Sequence, residues 1–394
     1  MEINDNKTMI KVDLIFSKSI YGQAGDRSFV RCMGEQKTLF AKHGVDLRII
    51  TPDLYQPNDG TVKPVKATWR HSLAMFITKH SAFATRLFIY LKYDKRSKGM
   101  LNYYASMKDK GEVVAFQDMI DCVVFLKNCK LYNQKVFLTL HTNGDFWSMW
   151  YYTLPKLRSW MMKRYRDNIE RKLLEGVDKF GFVADLPRKV FCTKYRWDEN
   201  KTFFVYNGIE SRPFTPKPIP DKVKLICVGT LNSRKNQIGI LNAIGYLADE
   251  EQKKIEVIFV GGGPDRDLLE KKSISLKCKV TFTGTTNEVD KYLMQANVFC
   301  LFSKAEGLPI SIVEAMRAGL PVIGSKVAGI PEQIIDGKSG YVVELDENAL
   351  EEKLHCLVNQ RDLLPKMGEV SYRLFEQHFT IKAMVEKYSK VYTD

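Results

Sequence analysis

At 394 residues and 45.4 kDa the chain is too long for one ordinary domain, and two domains of roughly 150 to 200 residues are expected. Its 45% hydrophobic and 27% charged residues and mean hydropathy of -0.24 exclude a disordered, collagen-like or membrane-spanning chain. The formal charge of +14 calls for an anionic partner, whether nucleic acid, anionic lipid or a phosphorylated ligand. That excess is local: residues 1–220 hold 37 basic and 22 acidic side chains, and residues 221–394 hold 23 and 24.

The start, MEINDNKTMIKVDLIF, is acidic and polar with a short apolar stretch, so neither a signal peptide nor a membrane span is expected there. Strand-like runs follow at 12–16, 45–51, 113–118, 135–141, 179–184 and 202–208, with helical segments between them. Residues 61–110 carry 11 basic and 2 acidic side chains. Within them Trp69, Leu73, Phe76, Ile77, Phe83, Ala84, Leu87, Phe88 and Leu91 recur at three- and four-residue spacing. Arg70, Lys79, Arg86, Lys92 and Lys95 lie between or beside them, which makes a basic amphipathic helix pattern interrupted near residues 79–82. Two readings stand: attachment to an anionic membrane face that presents an acceptor, or a helix packing its apolar stripe on the sheet. The run DFWSMWYYTLPKLRSWMMKRYRDNIERK reads either as acceptor lining or as an ordinary core helix.

Ser211–Lys222 concentrates four prolines without apolar periodicity and reads as an interdomain linker. The expected division is therefore an N-terminal domain over 1–210, a linker over 211–222, a C-terminal domain over 223–375 and a final helix over 376–394. Further apolar runs at 224–229, 255–263, 279–284, 296–303, 320–325 and 340–343 have the continuous character of strands covered on both faces. The alternation of strand and helix predicts an α/β fold with doubly wound parallel sheets, whose ligands lie at the carboxyl ends of the strands. The eight cysteines show no zinc or disulfide-framework spacing, so buried thiols in a reducing cytoplasm are expected.

Four segments of the second half carry chemistry. VGTLNSRKNQIGILNAI sets a strand, a Gly229 turn, Arg234 and Lys235 before a helix, where an ammonium and free N–H groups can meet one anion. FVGGGPDRDLLE follows a strand with three glycines, where backbone approaches either a neighbour or a ligand. FTGTTNEVDKYL places Thr285 at another strand end, beside a possible nucleotide base. In SKAEGLPISIVEAMRAGLPVIGSKVAGIPEQI, Glu306 and Glu314 flank Gly307, Leu308 and Pro309, with a helix expected from about Ile310 and Pro309 in its first turn. Two carboxylates so placed can grip hydroxyls at separate parts of one ligand.

This last segment, together with VYNGIE, VGTLNSRKN, FVGGGP, FTGTTNEV and GYVV over about 202–345, resembles the retaining glycosyltransferases of family 4, which have the GT-B fold. The resemblance is thinner over the N-terminal half, where the glycine loop with Gly22 and Gly25 and the run ending in His141 fall at family positions. It implies two Rossmann-like domains facing a cleft and a last helix crossing back to the first domain. Glu314 would then hold ribose hydroxyls, Glu306 would contact the donor sugar, and backbone at Gly307, Leu308 and Pro309 would help bind sugar and diphosphate. Lys235, with Arg234, would neutralise the phosphates, Gly22 and Gly25 would let the N-terminal backbone approach them, and His141 would touch the sugar. Thr230 stands where the family commonly has arginine, which removes one cation.

The function expected is transfer of a sugar, UDP-linked by preference, to a saccharide or lipid-linked saccharide in surface polysaccharide or glycolipid synthesis. No metal or other cofactor is expected, because no Asp-x-Asp pair or His cluster has ligand spacing. The setting would be cytoplasmic, with the inner face of the plasma membrane as a peripheral station. Two alternatives remain: a sugar-nucleotide epimerase of the same fold, and a non-catalytic nucleic-acid-binding protein. Against the second, no helix-turn-helix, zinc or RNP signature accompanies the charge, and no nucleic acid is expected among the partners.

Overall fold

The computed structural model describes residues 9–21, 25–54, 69–128 and 133–394. They form two compact units: one runs to Val183 and adds Pro187–Val205 and Val385–Asp394, and the other holds Ala184–Leu186 and Tyr206–Met384.

The first unit is built on strands β1 (Ile10–Ile15), β2 (Val45–Ile50), β3 (Val113–Phe116), β4 (Lys135–Leu140), β5 (Lys179–Phe182) and β6 (Thr202–Phe204). They pair in parallel in the order β2-β1-β3-β4-β5-β6. Leu14, Ile15, Val114, Phe116, Leu138, Phe180 and Phe182 are buried, as expected where crossover helices cover both faces of a parallel sheet. The charged exception, Asp13 in β1, is satisfied by the Arg48 guanidinium at 2.7 Å and by the Tyr104 hydroxyl at 2.9 Å, so its burial carries no orphaned charge. Chain order reverses at β1 and β3. The crevice at their carboxyl ends is thus the topological place for a ligand in this unit.

The second unit repeats the plan with β7 (Val223–Val228), β8 (Ile255–Val260), β9 (Lys279–Gly284), β10 (Val298–Leu301), β11 (Val322–Ser325) and β12 (Gly340–Val343). The parallel order is β12-β11-β10-β7-β8-β9, so the reversal falls between β7 and β10. Ile226, Phe259, Phe299, Leu301 and Ile323 fill the core, and Cys227 and Cys300 lie in it as free thiols.

The proline-rich stretch 211–222 has no regular element but is fastened to the second unit. Lys217 donates to the carbonyls of Leu293, Met294 and Ala296, the open end of the helix Val289–Gln295, where a lysine completes the last turn. Burial there lowers the Lys217 ammonium to about 8. The final helix, Ile381–Thr393, contributes its residues from Val385 onward to the first unit, where Tyr388 meets Phe203 at 6.2 Å and Tyr392 stacks on Phe137 at 6.0 Å.

The amphipathic region resolves into helices Trp69–His80 and Ala82–Ile89, a π-helical turn Tyr90–Asp94, and a helix Lys95–Ser106. The break is at Ser81, whose hydroxyl caps the second helix through the Ala84 N–H at 3.2 Å. No helix among the described residues is long and apolar enough to cross a membrane.

Candidate functional site

In the second unit the loops leaving β7 and β10 meet at the strand-order reversal, and both carry charge. The β7 loop turns at Gly229, whose φ of +150° favours glycine, and a Cβ there would stand 3.3 Å from the Lys235 Cε. The loop then closes on itself, with the Lys235 N–H donating to the Asn232 side chain and Asn236 in a left-handed conformation ahead of the helix Gln237–Tyr246. These turns direct Lys235 inward. Its ammonium lies 2.7 Å from Glu306 Oε1, and the Arg234 guanidinium reaches the same oxygen at 3.0 Å. Arg234 also donates to the Ala305 carbonyl at 2.7 Å, so it is turned onto the β10 loop and not to solvent.

Glu306 and Lys235 are both buried. Burial works to raise the Glu306 carboxyl, but Lys235 and Arg234 outweigh it and hold the group below the ordinary carboxylate range. Two cations on one buried carboxylate give a net positive, preorganised site at the end of the central strands.

Glu314 is a different case. It sits in the helix Ile310–Arg317, a little over one turn in from its start, whereas Glu306 lies in the loop before it. No hydrogen bond or ion pair reaches its carboxyl among the described residues. Burial pushes it up to about 7, against the partial opposition of Arg317 and Arg212 and with Asp290 adding to the rise. Those two arginines are committed to Asp290, each at 2.7 Å. The sequence singles out neither Asp290 nor the arginines, because their relation to Glu314 exists only after the helix Val289–Gln295 packs beside it. A half-buried carboxyl without a protein partner is open to a ligand, and paired hydroxyls fit its acceptor geometry.

Gly307, Leu308 and Pro309 are buried beside Glu306. Pro309 stands at the N-cap and not in the first turn: its ψ of 118° is extended, and the helix begins at Ile310. Thr230 and Thr285 are exposed at the ends of β7 and β9, and the Thr230 carbonyl accepts from the Gln237 side chain at 3.1 Å. In the triple glycine, Gly261 and Gly263 serve packing against a neighbour: a Cβ would fall 2.2 Å from the Gly229 carbonyl oxygen and 2.1 Å from that of Leu231.

In the first unit, Gly22 lies outside the described residues, and Gly25 opens the helix Gly25–Glu35. His141 follows β4, with Nε2 2.8 Å from the Gln117 side-chain oxygen at the end of β3 and its ring 5.4 Å from Phe29. Trp69 and Arg70 open the first helix of the amphipathic region. Lys79, Lys92 and Lys95 are exposed, whereas Arg86 lies 4.3 Å from the Tyr165 ring and 3.5 Å from Asp94. Most of the apolar stripe faces solvent, although Phe88 packs against the core of this unit. Leu73, Phe76, Ile77, Phe83, Leu87 and Leu91 are exposed, and Ala82, Thr85 and Ile89 are the residues turned inward. Beside Phe83, which is 80% exposed, stands Trp160, 83% exposed, across a groove of about 1260 Å³ edged by Arg86, Lys163, Arg164 and Arg171. Trp160 belongs to the aromatic run whose exposure the sequence leaves undecided. Among the described residues no group of three or more His, Cys, Asp or Glu is placed to hold a metal ion.

The family described as glycosyl transferases group 1 matches residues 210–373, the segment that carries Arg234, Lys235, Glu306 and Glu314. The match to this family lies within the second unit. The chain is 25% identical over 211 residues to N-acetyl-alpha-D-glucosaminyl L-malate synthase of Bacillus anthracis, a match covering 53% of this chain and 55% of that protein. It is 26% identical over 235 residues to the GDP-mannose-dependent alpha-(1-6)-phosphatidylinositol monomannoside mannosyltransferase of Mycobacterium tuberculosis, covering 53% and 56%. The chain thus spans little more than half the length of these relatives. The structure of HepE from Anabaena, in complex with UDP and glucose, superposes with a TM-score of 0.67 over 98% of this chain and 99% of that one, at 13% identity. Both units of the chain therefore have the α/β architecture of GT-B structures.

Proposed function

We propose that the protein is a retaining glycosyltransferase that moves a sugar from a nucleotide-sugar, UDP-linked by preference, to a saccharide or lipid-linked saccharide acceptor. The observation that carries this reading is the presence, in the segment leaving β10 at the strand-order reversal, of a cation-clamped Glu306 and a half-buried, partnerless Glu314. Glu314 accepts the two ribose hydroxyls. Lys235 and Arg234 face the diphosphate, and Glu306, fixed by them, meets donor-sugar hydroxyls. As the glycosidic bond breaks, charge accumulates on the leaving diphosphate while the sugar gains oxocarbenium character. Fixed cations therefore stabilise the transition state more than the bound substrate. Glu306 is engaged by two cations and unsuited to attack as a free nucleophile, so retention is assigned to a front-face route in which the leaving phosphate takes the acceptor proton. His141 keeps the sugar-contact role that the resemblance implies, and no metal enters the scheme. UDP is favoured in line with HepE; the mycobacterial relative, named for GDP-mannose, makes GDP the alternative base.

The first unit is assigned to the acceptor, with peripheral attachment to an anionic cytoplasmic membrane face. Solvent-facing Phe83 and Trp160 beside Arg86, Lys163 and Arg164 support this, since exposed aromatics rimmed by cations suit the bilayer interface. A panel of UDP- and GDP-sugars scored by melting shift and donor hydrolysis tests the reading. Stabilisation and hydrolysis with at least one donor are expected. No response to any nucleotide, or interconversion of sugar epimers without transfer, overturns it.

A further inference from the structure

We infer that the crevice at the β1/β3 reversal of the first unit is a second anion site, one that takes a phosphate group of the acceptor. This rests on the assignment of the first unit to the acceptor and names the acceptor's class: a phosphorylated or pyrophosphate-linked saccharide rather than a neutral one.

The site is assembled from three places in the sequence. Ser17 and Lys18 leave the end of β1, Gln117 and Asp118 leave the end of β3, and the helix that follows the π-helical turn Tyr90–Asp94 brings Arg96 onto Ser17, with Lys92 four residues before it. The backbone at Ser17 is fixed from both sides. Its N–H donates to the buried Asp121 carboxylate at 3.0 Å, and its hydroxyl accepts from Arg96 Nε at 3.0 Å. Asp121 is held in turn by the Ser97 hydroxyl. Arg96 is thereby aimed at the strand end, and its Nη2 is buried there with no hydrogen-bond partner among the described residues.

Lys92 lies one turn before Arg96. Both cations lie over the Tyr93 ring, Lys92 Nζ at 5.7 Å and Arg96 Cζ at 5.3 Å from its centroid. Like charges four apart on a helix are unfavourable unless a counter-charge joins them. The Lys92 side chain is exposed, yet partial desolvation, followed by Arg96, Lys18 and Arg27, lowers its ammonium, so it senses three further cations nearby. The carboxylates of the neighbourhood are already engaged, and Lys92 and Arg96 have none of them as an ion-pair partner. Asp118 pairs with Lys18 at 3.2 Å, Asp94 faces Arg86 at 3.5 Å, and Asp121 accepts from the two serines. A cation excess at a topological ligand position, one guanidinium nitrogen buried and unpaired, fits an oxyanion with several acceptor atoms, as phosphate is. The ring pair Tyr93 and Trp150, 4.9 Å apart, offers an apolar wall beside it of the kind sugar faces contact.

The test is a melting-shift and calorimetric titration with inorganic pyrophosphate on the full chain, with and without saturating UDP. Pyrophosphate should bind the wild-type protein after UDP has filled the second unit. Lys92→Gln and Arg96→Gln should each weaken that binding about tenfold or more, as loss of a charge-assisted contact does, and leave the UDP shift unchanged. Because Arg96 also holds Ser17, Lys92→Glu serves as the variant whose side chain is exposed and whose fold is unthreatened. Abolition of pyrophosphate binding by UDP in the wild type, or undiminished binding in Lys92→Glu, overturns the inference. A missing UDP shift with pyrophosphate binding intact would instead sink the donor-site reading and leave this site standing.

Discussion

Replacing Glu314 by glutamine separates what this carboxyl costs the empty protein from what it does for a ligand. Burial moves the group from an ordinary value of 4.5 to about 7. The folded state therefore favours its protonated form, and its contribution to stability is present in full below pH 4.5 and is lost as pH rises through 7. The difference between those two values corresponds to about 3 kcal/mol, an order-of-magnitude figure. Glu314→Gln keeps the shape and removes the ionisation. Near pH 4.5 the variant and the wild type should be about equally stable; at pH 8 the variant should be more stable by up to about 3 kcal/mol, which is about 6–12 °C in the melting of a unit of this size. Nucleotide binding should reverse the preference. Hydroxyls that donate to the ionised carboxylate pull its pKa down, so UDP binding to the wild type near pH 7 should release a proton. Calorimetry in two buffers of different ionisation enthalpy would detect that release. In Glu314→Gln the proton release should vanish and UDP affinity fall about tenfold or more, the scale of a hydrogen bond to a charged group. A variant no more stable than wild type at pH 8, or one that binds UDP unchanged with the same proton release, refutes the placement of Glu314 as a waiting acceptor.

Removal of the Lys235 ammonium by Lys235→Ala should lower transfer at least about tenfold, because a fixed cation facing the leaving diphosphate acts mainly in the transition state. Arg234, also bonded to the Ala305 carbonyl, should retain Glu306 in place, so the circular dichroism of that variant should match wild type; equal turnover would refute the assignment. Gly229→Ala should weaken both folding and UDP binding, since its φ of +150° strains any side chain and the new methyl would crowd the Lys235 stem; a melting temperature within a degree of wild type would contradict this. Phe83→Ser with Trp160→Ser should reduce sedimentation with phosphatidylglycerol vesicles about tenfold, an effect of lost apolar insertion, and leave UDP binding intact. Equal recovery with neutral and anionic vesicles would remove the membrane from the scheme.

The parallel sheets were legible because strands covered on both faces must be apolar throughout, and runs such as LICVG and VFCLF have no other simple reading. Lys235 and Glu306 were each nameable for the same reason: a glycine turn and a Gly-Leu-Pro context mark strand ends. Their contact was not legible. It depends on β7 pairing with β10, which brings together residues 71 positions apart, and nothing in either segment specifies that neighbour. The eight-residue spacing of the two glutamates invites a single double-carboxylate grip, whereas the folded chain gives them opposite states: one clamped by two cations, the other alone. The amphipathic stripe misdirects in a similar way. Periodicity states that Leu73, Phe76, Phe83 and Leu87 share a face but not where that face points, and the inward side is filled by Ala82, Thr85 and Ile89.

The two reversal points also divide the charge of the chain in a way its composition conceals. In the second unit, which is nearly neutral, the proposed phosphate cations are the buried Lys235 and the half-buried Arg234 held on Glu306, which salt screens less than surface charges. In the first unit, cations are numerous yet many stand at the surface, Lys79, Lys92 and Lys95 among them, where each acts weakly and in concert with its neighbours. Association with an extended anionic partner therefore should weaken steeply as salt rises, while nucleotide binding should respond much less. Measuring both on one preparation between low and physiological ionic strength decides the point. A nucleotide affinity that falls as steeply as vesicle binding would mean that the donor phosphates are held by surface charge, and that the buried pair on Glu306 is not their site.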